Sequence, residues 1–405
     1  MYFLSTLTTW ENFNPPYFGQ QGSDYVSWNC HRANWDDIGG RISTESGKRR
    51  NATSIWPSAG PLTWPDFSQY TSEVHSYISR YFTYDSDIVP AFAGTASALA
   101  KVFPGGILYG LPIVFFDVAL MWTFDEIQAI RAVDKTSDES LRAPSWSWMS
   151  WRGKFAHGSW HRFAQTLGTI AGGYPSWSYD TMIYSPIVQW SYIGAGGARI
   201  TIENGHSKYR HFAHDSESTP PLGWDRITPS TIDPKHQLKF YCTTRAAPGH
   251  MFRFPIPLVD PSDAVVTIPK PTSSVITCQT ERAYFYLAGE HAFENWNALS
   301  IIDSKGHNSG RFLEFGDTHG PTKVNQKVEL IAISYSLQGN INDCEQTLLM
   351  GNRRTEDQTD GGVKEWYNVL WIEWTDDIAY RRAVGQVTKE AWGAADREHI
   401  HVKLG

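Results

Sequence analysis

Residues 142–153 read RAPSWSWMSWRG and place three tryptophans, Trp146, Trp148 and Trp151, within six positions. Tryptophan carries the largest apolar surface of any side chain, and its indole N–H needs an acceptor once the ring leaves water. A fold that takes in this stretch must bury three such rings against matched carbonyls or display them to a ligand. In an extended chain Trp146 and Trp148 share one face while Ser145 and Ser147 share the other. Pro144 stands at the entry, where a missing N–H harms a strand least. Trp151 breaks the alternation, as a bulge or a strand end does. The segment therefore reads as a strand whose tryptophans cap a helical block, with core packing favoured over a ligand platform.

The block precedes it. With Thr63 as N-cap and Pro65 and Asp66 in the first turn, Phe67, Tyr70, Val74, Tyr77, Ile78 and Tyr81 recur at steps of three and four and define one helix face. A second helix begins near Asp87, carries Ile88, Phe92, Ala96, Leu99 and Phe103 on one side, and stops at Pro104-Gly105-Gly106. Residues 107–124 predict a third. This stretch is apolar enough to resemble a membrane span, but Pro112 and Asp117 interrupt it, and Leu111, Phe115, Val118 and Trp122 have the spacing of a core-facing stripe.

Before the block, residues 24–30 form a strand and a Gly-rich polar loop follows. After residue 155 Gly, Ser, Pro and His dominate, with short strands such as residues 186–193. From about residue 235 the chain is strand-rich, and residues 365–374 (EWYNVLWIEW) are apolar on both faces, as in a central strand. Thr375-Asp376-Asp377 turns that strand into a hairpin. A short helix (TKEAWGAA) and a closing strand (HIHVKLG) end the sequence. The expected class is α+β: a helical block capped by the Trp-rich strand, then a mainly antiparallel β domain. The expected divisions are 1–60, 61–155, 156–230 and 231–405.

Chemistry is sparse. The net charge of −7 offers no basic footprint for nucleic acid. Cys30, Cys242, Cys278 and Cys344 lie far apart and fit a reducing compartment better than a disulfide or zinc framework. The N-terminus lacks the basic and apolar regions of a signal peptide, and the sequon at Asn51 is read as unused. GAGGAR at residues 194–199 opens like a dinucleotide loop, but Arg199 takes the third glycine's place, so it reads as a flexible loop. His206, His211 and His214 with Asp215 match no zinc spacing and read as a solvated loop. Asp36/Asp37, Asp85/Asp87 and Asp376/Asp377 sit at loops, caps and turns. Glu373 is assigned to Arg381 or Arg382 across the hairpin.

The Trp-rich segment resembles the signature that follows the heterokaryon-incompatibility (HET) domain of many filamentous-fungal proteins, where an Ala-Pro-Ser-Trp-Ser-Trp stretch closes a helical region. Residues 25–30 (YVSWNC) resemble the strand ending that domain, with Asn29 where Glu is common. Residues 74–99 resemble the helix pair that follows it, with Tyr77, Ser79, Arg80, Thr83, Asp87 and Ala91 in pattern. Residues 367–392 are similar to the family's C-terminal hairpin.

The blocks keep family order. The HET domain itself, which resembles the TIR fold and is linked to NAD consumption and death after non-self fusion, is expected to be reduced to a trace at residues 8–19. No catalytic residue is carried over. The resemblance marks Arg142, Ala143, Pro144, Ser145, Trp146, Ser147, Trp148, Tyr367, Trp371, Trp374, Tyr380 and Arg381 as signature positions with structural roles. It implies a cytoplasmic protein of non-self recognition acting through protein partners, with no cofactor, metal, nucleic acid or membrane span. The alternative is a glycan-binding or glycan-cleaving protein, in which Trp146, Trp148, Trp371 and Trp374 would line a groove beside paired carboxylates.

Overall fold

The structure is a computed structural model. It describes residues 62–405 except 79, 81, 83, 131–142, 157, 171–180, 216, 228–239, 247–249, 261–270, 294–295, 314–324, 340–343, 345–346 and 348–361, together with three short strands before residue 62. The chain divides into two compact units, Met1–Pro61 and Leu62–Gly405. In the first, Ser27–Asn29, Asn34–Asp36 and Ile42–Ser43 pair antiparallel in chain order, with Trp28 opposite Trp35. The first of these lies within the strand expected at residues 24–30.

The second unit is α+β. Helix α1 (Phe67–Ile78) buries Phe67, Tyr70, Val74, Tyr77 and Ile78, the expected stripe. Its cap is Asp66 rather than Thr63: the Asp66 carboxylate accepts the Gln69 N–H at 3.1 Å, while the Thr63 hydroxyl donates to the Arg245 carbonyl. Helix α2 (Ile88–Leu99) buries Ile88, Phe92 and Leu99.

The third helix is a correction. Residues 107–124 form a two-strand ribbon (Ile107–Leu108 with Leu111–Pro112), a 3-10 turn at Ile113–Phe115 and a four-residue helix α3 (Phe116–Ala119), and then enter the strand Thr123–Ile130. Gly105, Gly106 and Gly110 adopt φ of 76, 74 and 83°, which tight turns use and helices do not. From Leu111 to Phe124 every residue is buried, so the apolar stripe was one part of an all-round core segment. Among the described residues no helix is long and apolar enough to cross a membrane. Helix α4 (Gly158–Leu167) completes the block.

The ten-stranded sheet comprises β1 (Thr181–Pro186), β2 (Ser191–Gly194), β3 (Arg199–Thr201), β4 (Pro271–Phe293), β5 (Trp296–Ile302), β6 (Asn308–Phe312), β7 (Lys327–Gly339), β8 (Lys364–Thr375), β9 (Ile378–Thr388) and β10 (Glu398–Leu404). All its pairings are antiparallel except β9 with β10. Six strands close on themselves: β4 pairs β5, then β6, β9, β8 and β7 follow, and β7 returns to β4 through Arg282 opposite Ile331. The circuit is a barrel.

Its interior is filled by Ala283, Phe285, Leu287, Ile301, Phe312, Val328, Leu330, Ala332, Val369, Trp371, Ala383 and Val387, with contributions from every strand. Trp392, from helix α5 (Lys389–Ala394), belongs to the same cluster. Alternate residues Ile331, Ile333, Leu370, Ile372 and Val384 face outward into a second core shared with the helices. Both faces of β8 are therefore apolar for a simple reason: one lines the barrel and the other receives the helical block.

That second core draws residues from Trp64 to Leu404, so the expected boundaries near 155 and 230 separate no packing units. The GAGGAR stretch is a hydrogen-bonded hairpin turn, in which Gly194 N–H reaches Ala198 O at 2.9 Å with Gly196 and Gly197 at φ of 91 and 80°. Strand β1 forms one edge of the sheet. Arg210 donates to the Ser185 hydroxyl at 2.8 Å and to the Tyr184 carbonyl, so side chains occupy an edge that would otherwise template pairing.

Candidate functional site

The Trp-rich segment is not a strand. Ser147 N–H bonds Pro144 O at 2.9 Å, Ser147 Oγ accepts the Met149 N–H at 3.1 Å, and a 3-10 turn occupies Trp148–Ser150. The Ser150 hydroxyl reaches the carbonyls of Ala143 and Pro144 at 2.6 and 2.7 Å. The serines thus satisfy backbone groups locally and bend the chain, an option that β alternation ignores. Trp151 opens the next strand, Trp151–Ala156, rather than ending one.

All three rings are buried, and each indole finds a carbonyl. Trp146 donates to Ser274 O at 3.1 Å, Trp148 to Gly110 O at 3.4 Å and Trp151 to Ser145 O at 2.9 Å. A Cβ on Gly110 would sit 2.8 Å from the Trp148 indole nitrogen, so the bulky ring is admitted by a residue that lacks one. The rings offer no face to a ligand.

Two distant signature blocks meet here. Ser145 accepts the Arg381 N–H at 2.8 Å across 236 positions and donates its hydroxyl to Gly405 O, which also takes the Ser145 N–H at 3.0 Å. The Arg381 side chain is 1% exposed. Its guanidinium lies 3.4 Å from the Trp122 ring centroid and donates to Leu120 O and Trp122 O, both at 2.7 Å. Leu120 is the C-cap of α3, where a cation is favoured, and Trp122 stands at the entry to the following strand. Glu373 pairs with Arg382 at 2.5 Å, one of the two partners expected for it.

The remaining signature residues separate. Ala143 is half-buried and Pro144 buried; Trp371 lines the barrel interior, and Tyr367 packs half-buried against Trp392, their rings stacked at 5.6 Å. Trp374 and Tyr380 are exposed. Arg142 lies outside the described residues.

Sequence reasoning missed a sealed histidine–carboxylate contact. His206 and Asp117, 89 positions apart, meet at 2.9 Å with both side chains at most 2% exposed. Phe115 stacks on the His206 ring at 6.0 Å and Phe163 meets it edge-on at 5.3 Å. The histidine run is therefore split: His206 is core, while His211 and His214 are exposed. Burial pushes the Asp117 carboxyl up, but His206, the Asn204 amide and the Val118 N–H hold it below the usual carboxylate range. No spacing rule links these two residues; only Asp117 inside an apolar run hinted that a partner would be required.

A second polar group lies under the sheet. Asn368 joins Ser334, Ser336 and Gln386 at 2.9, 3.2 and 3.1 Å, and Arg311 donates to Gln386 at 3.1 Å. Two further acids belong to the helical block. Asp85 is spent on Arg152 at 2.6 Å. Glu73 is 6% exposed, one carboxylate oxygen lacks a hydrogen bond, and burial pushes its pKa to about 7 against the pull of Arg80.

At the surface, Glu329 accepts Trp374 Nε1 at 3.0 Å, Arg282 at 3.1 Å and the Tyr284 hydroxyl at 3.4 Å, which fixes two partly exposed rings. Comparison with family models, curated proteins and solved structures finds no match.

Proposed function

We propose that this chain is a heterokaryon-incompatibility-family protein of a filamentous fungus, acting in the cytoplasm in non-self recognition through protein contacts rather than catalysis. One observation carries the reading. Three of the blocks that resemble the family, in 74–99, 142–153 and 367–392, are scattered along the sequence yet converge on one junction. Tyr77 packs on Phe92 at 4.9 Å, Phe92 on Trp148 at 5.1 Å, and Ser145 of the same segment holds Arg381. A signature that recurs because it builds one joint is supported by such convergence, and its residues are structural in that reading.

The test is fusion. Expression of the chain in one of two fusing strains is expected to change the death rate of fused compartments, and an unchanged rate overturns the reading. The purified chain is expected to release no nicotinamide from NAD above a blank, because cleavage needs a carboxylate placed to stabilise the developing positive charge. Turnover abolished by Glu73→Gln would establish catalysis instead. A second reading, binding of an uncharged glycan, is favoured by the partly exposed rings of Trp374 and Tyr284 tied to Glu329. It predicts oligosaccharide binding that Trp374→Ala removes.

A further inference from the structure

Leu222 is 89% exposed, the most exposed large apolar side chain among the described residues. Single exposed leucines are ordinary, but this one is mounted on a rigid support. Trp224 N–H bonds Pro221 O at 3.1 Å, and Gly223 follows Leu222 with φ of 85°, the arrangement of a type II turn with Leu222 at its first corner. Pro220 and Pro221 lead into the turn with φ already restricted.

Both sides of the turn are anchored. The buried Trp224 ring donates to Ile256 O at 3.0 Å. The Arg226 guanidinium donates to Ser218 O at 2.7 Å and to Asp215 O at 3.3 Å, while the Asp215 carboxylate accepts the N–H groups of Glu217 and Ser218 at 2.9 and 3.0 Å. An apolar tip held in this way loses little conformational entropy on insertion, which is how a small contact becomes a strong one. Along residues 215–226 the charge is acidic, with Asp215, Glu217 and Asp225 against Arg226. Glu217 and Asp225 are exposed, and Asp215 is held down to about 2 by hydrogen bonds from Ser218 and Glu217, while Arg226 is turned onto carbonyls. An anionic lipid surface would repel that rim.

We propose that the turn at Leu222 is a docking element that inserts Leu222 into an apolar pocket of a partner protein whose rim carries Lys or Arg. The proposal rests on the reading that the chain acts through contacts, and it names the contact. The experiment uses the full chain in its host cell with Thr219→p-benzoylphenylalanine as a photo-crosslinker and the same group at Ile193 as control. The expected result is a protein adduct at least tenfold above the control, reduced tenfold by Leu222→Ala and kept by Leu222→Met. The cross-linked partner peptide is expected to be apolar with flanking Lys or Arg. A Tm unchanged by Leu222→Ala separates docking from folding.

Several results overturn the proposal: no adduct above the control, an adduct indifferent to Leu222→Ala, or one formed only with lipid or with a second copy of this chain. If the fusion response persists in the Leu222→Ala strain, the docking proposal falls while the broader reading stands.

Discussion

Trp148 shows what burial of a single residue implies. It is fully buried against Phe92, beside a glycine that a Cβ would push into its ring. Trp148→Ala is expected to cost about 3–5 kcal/mol, read from the shift in denaturant midpoint. Arg381 is the polar counterpart. Arg381→Lys keeps the charge but loses the planar fork that spans Leu120 O and Trp122 O. A loss of about 1.5–3 kcal/mol is expected from one abandoned charge-assisted bond; a change under about 0.5 kcal/mol would show the fork to be dispensable.

Glu73 sets a pH dependence. Its folded pKa of about 7 stands above the ordinary 4.5, so the native state holds a proton that the unfolded chain gives up. The resulting stability is fully present below about pH 4.5 and is lost as pH rises through 7. Thermal melts between pH 5 and 8 are expected to fall in the wild type and to flatten in Glu73→Gln. Asp117 acts in the opposite sense: its lowered pKa adds stability that is lost in acid.

Among the elements, those with strong periodicity formed as expected. Helix α1 and the β8–β9 hairpin follow their patterns, with Asp376 at φ of 54° in the turn, and helix α2 does so as far as Leu99, which leaves Phe103 beyond its end. Helix α5 is capped by Thr388, whose hydroxyl accepts the Ala391 N–H at 3.2 Å. Thr388→Ala is expected to destabilise it by about 1 kcal/mol, visible as faster amide exchange at Trp392 and its neighbours. Period failed where burial was complete. Residues 111–124 are core on all sides, so a stripe could be found at any spacing, and positive-φ glycines decided the conformation of the turns before them. In the Trp-rich segment, side-chain hydroxyls competing for backbone groups replaced a strand with a turn.

For the whole molecule, two cores share the barrel wall, one inside and one between wall and helices. Residues 62–405 are therefore expected to unfold in a single calorimetric transition, since neither core survives loss of the strands that both use. Two resolved transitions would show that the helical block stands alone.

The sequence by itself determined the class, helices α1, α2 and α5, strands β8 to β10, the two-faced apolar character of β8, and that the tryptophans had to find partners. These follow from local periodicity and from the cost of leaving an indole N–H unmet in apolar surroundings. Tertiary structure alone decided that six strands close into a barrel, that His206 finds Asp117, and that Ser145 finds Arg381. Such pairings depend on which carbonyls and charges the fold brings within about 3 Å, and separation along the chain carries no trace of that distance.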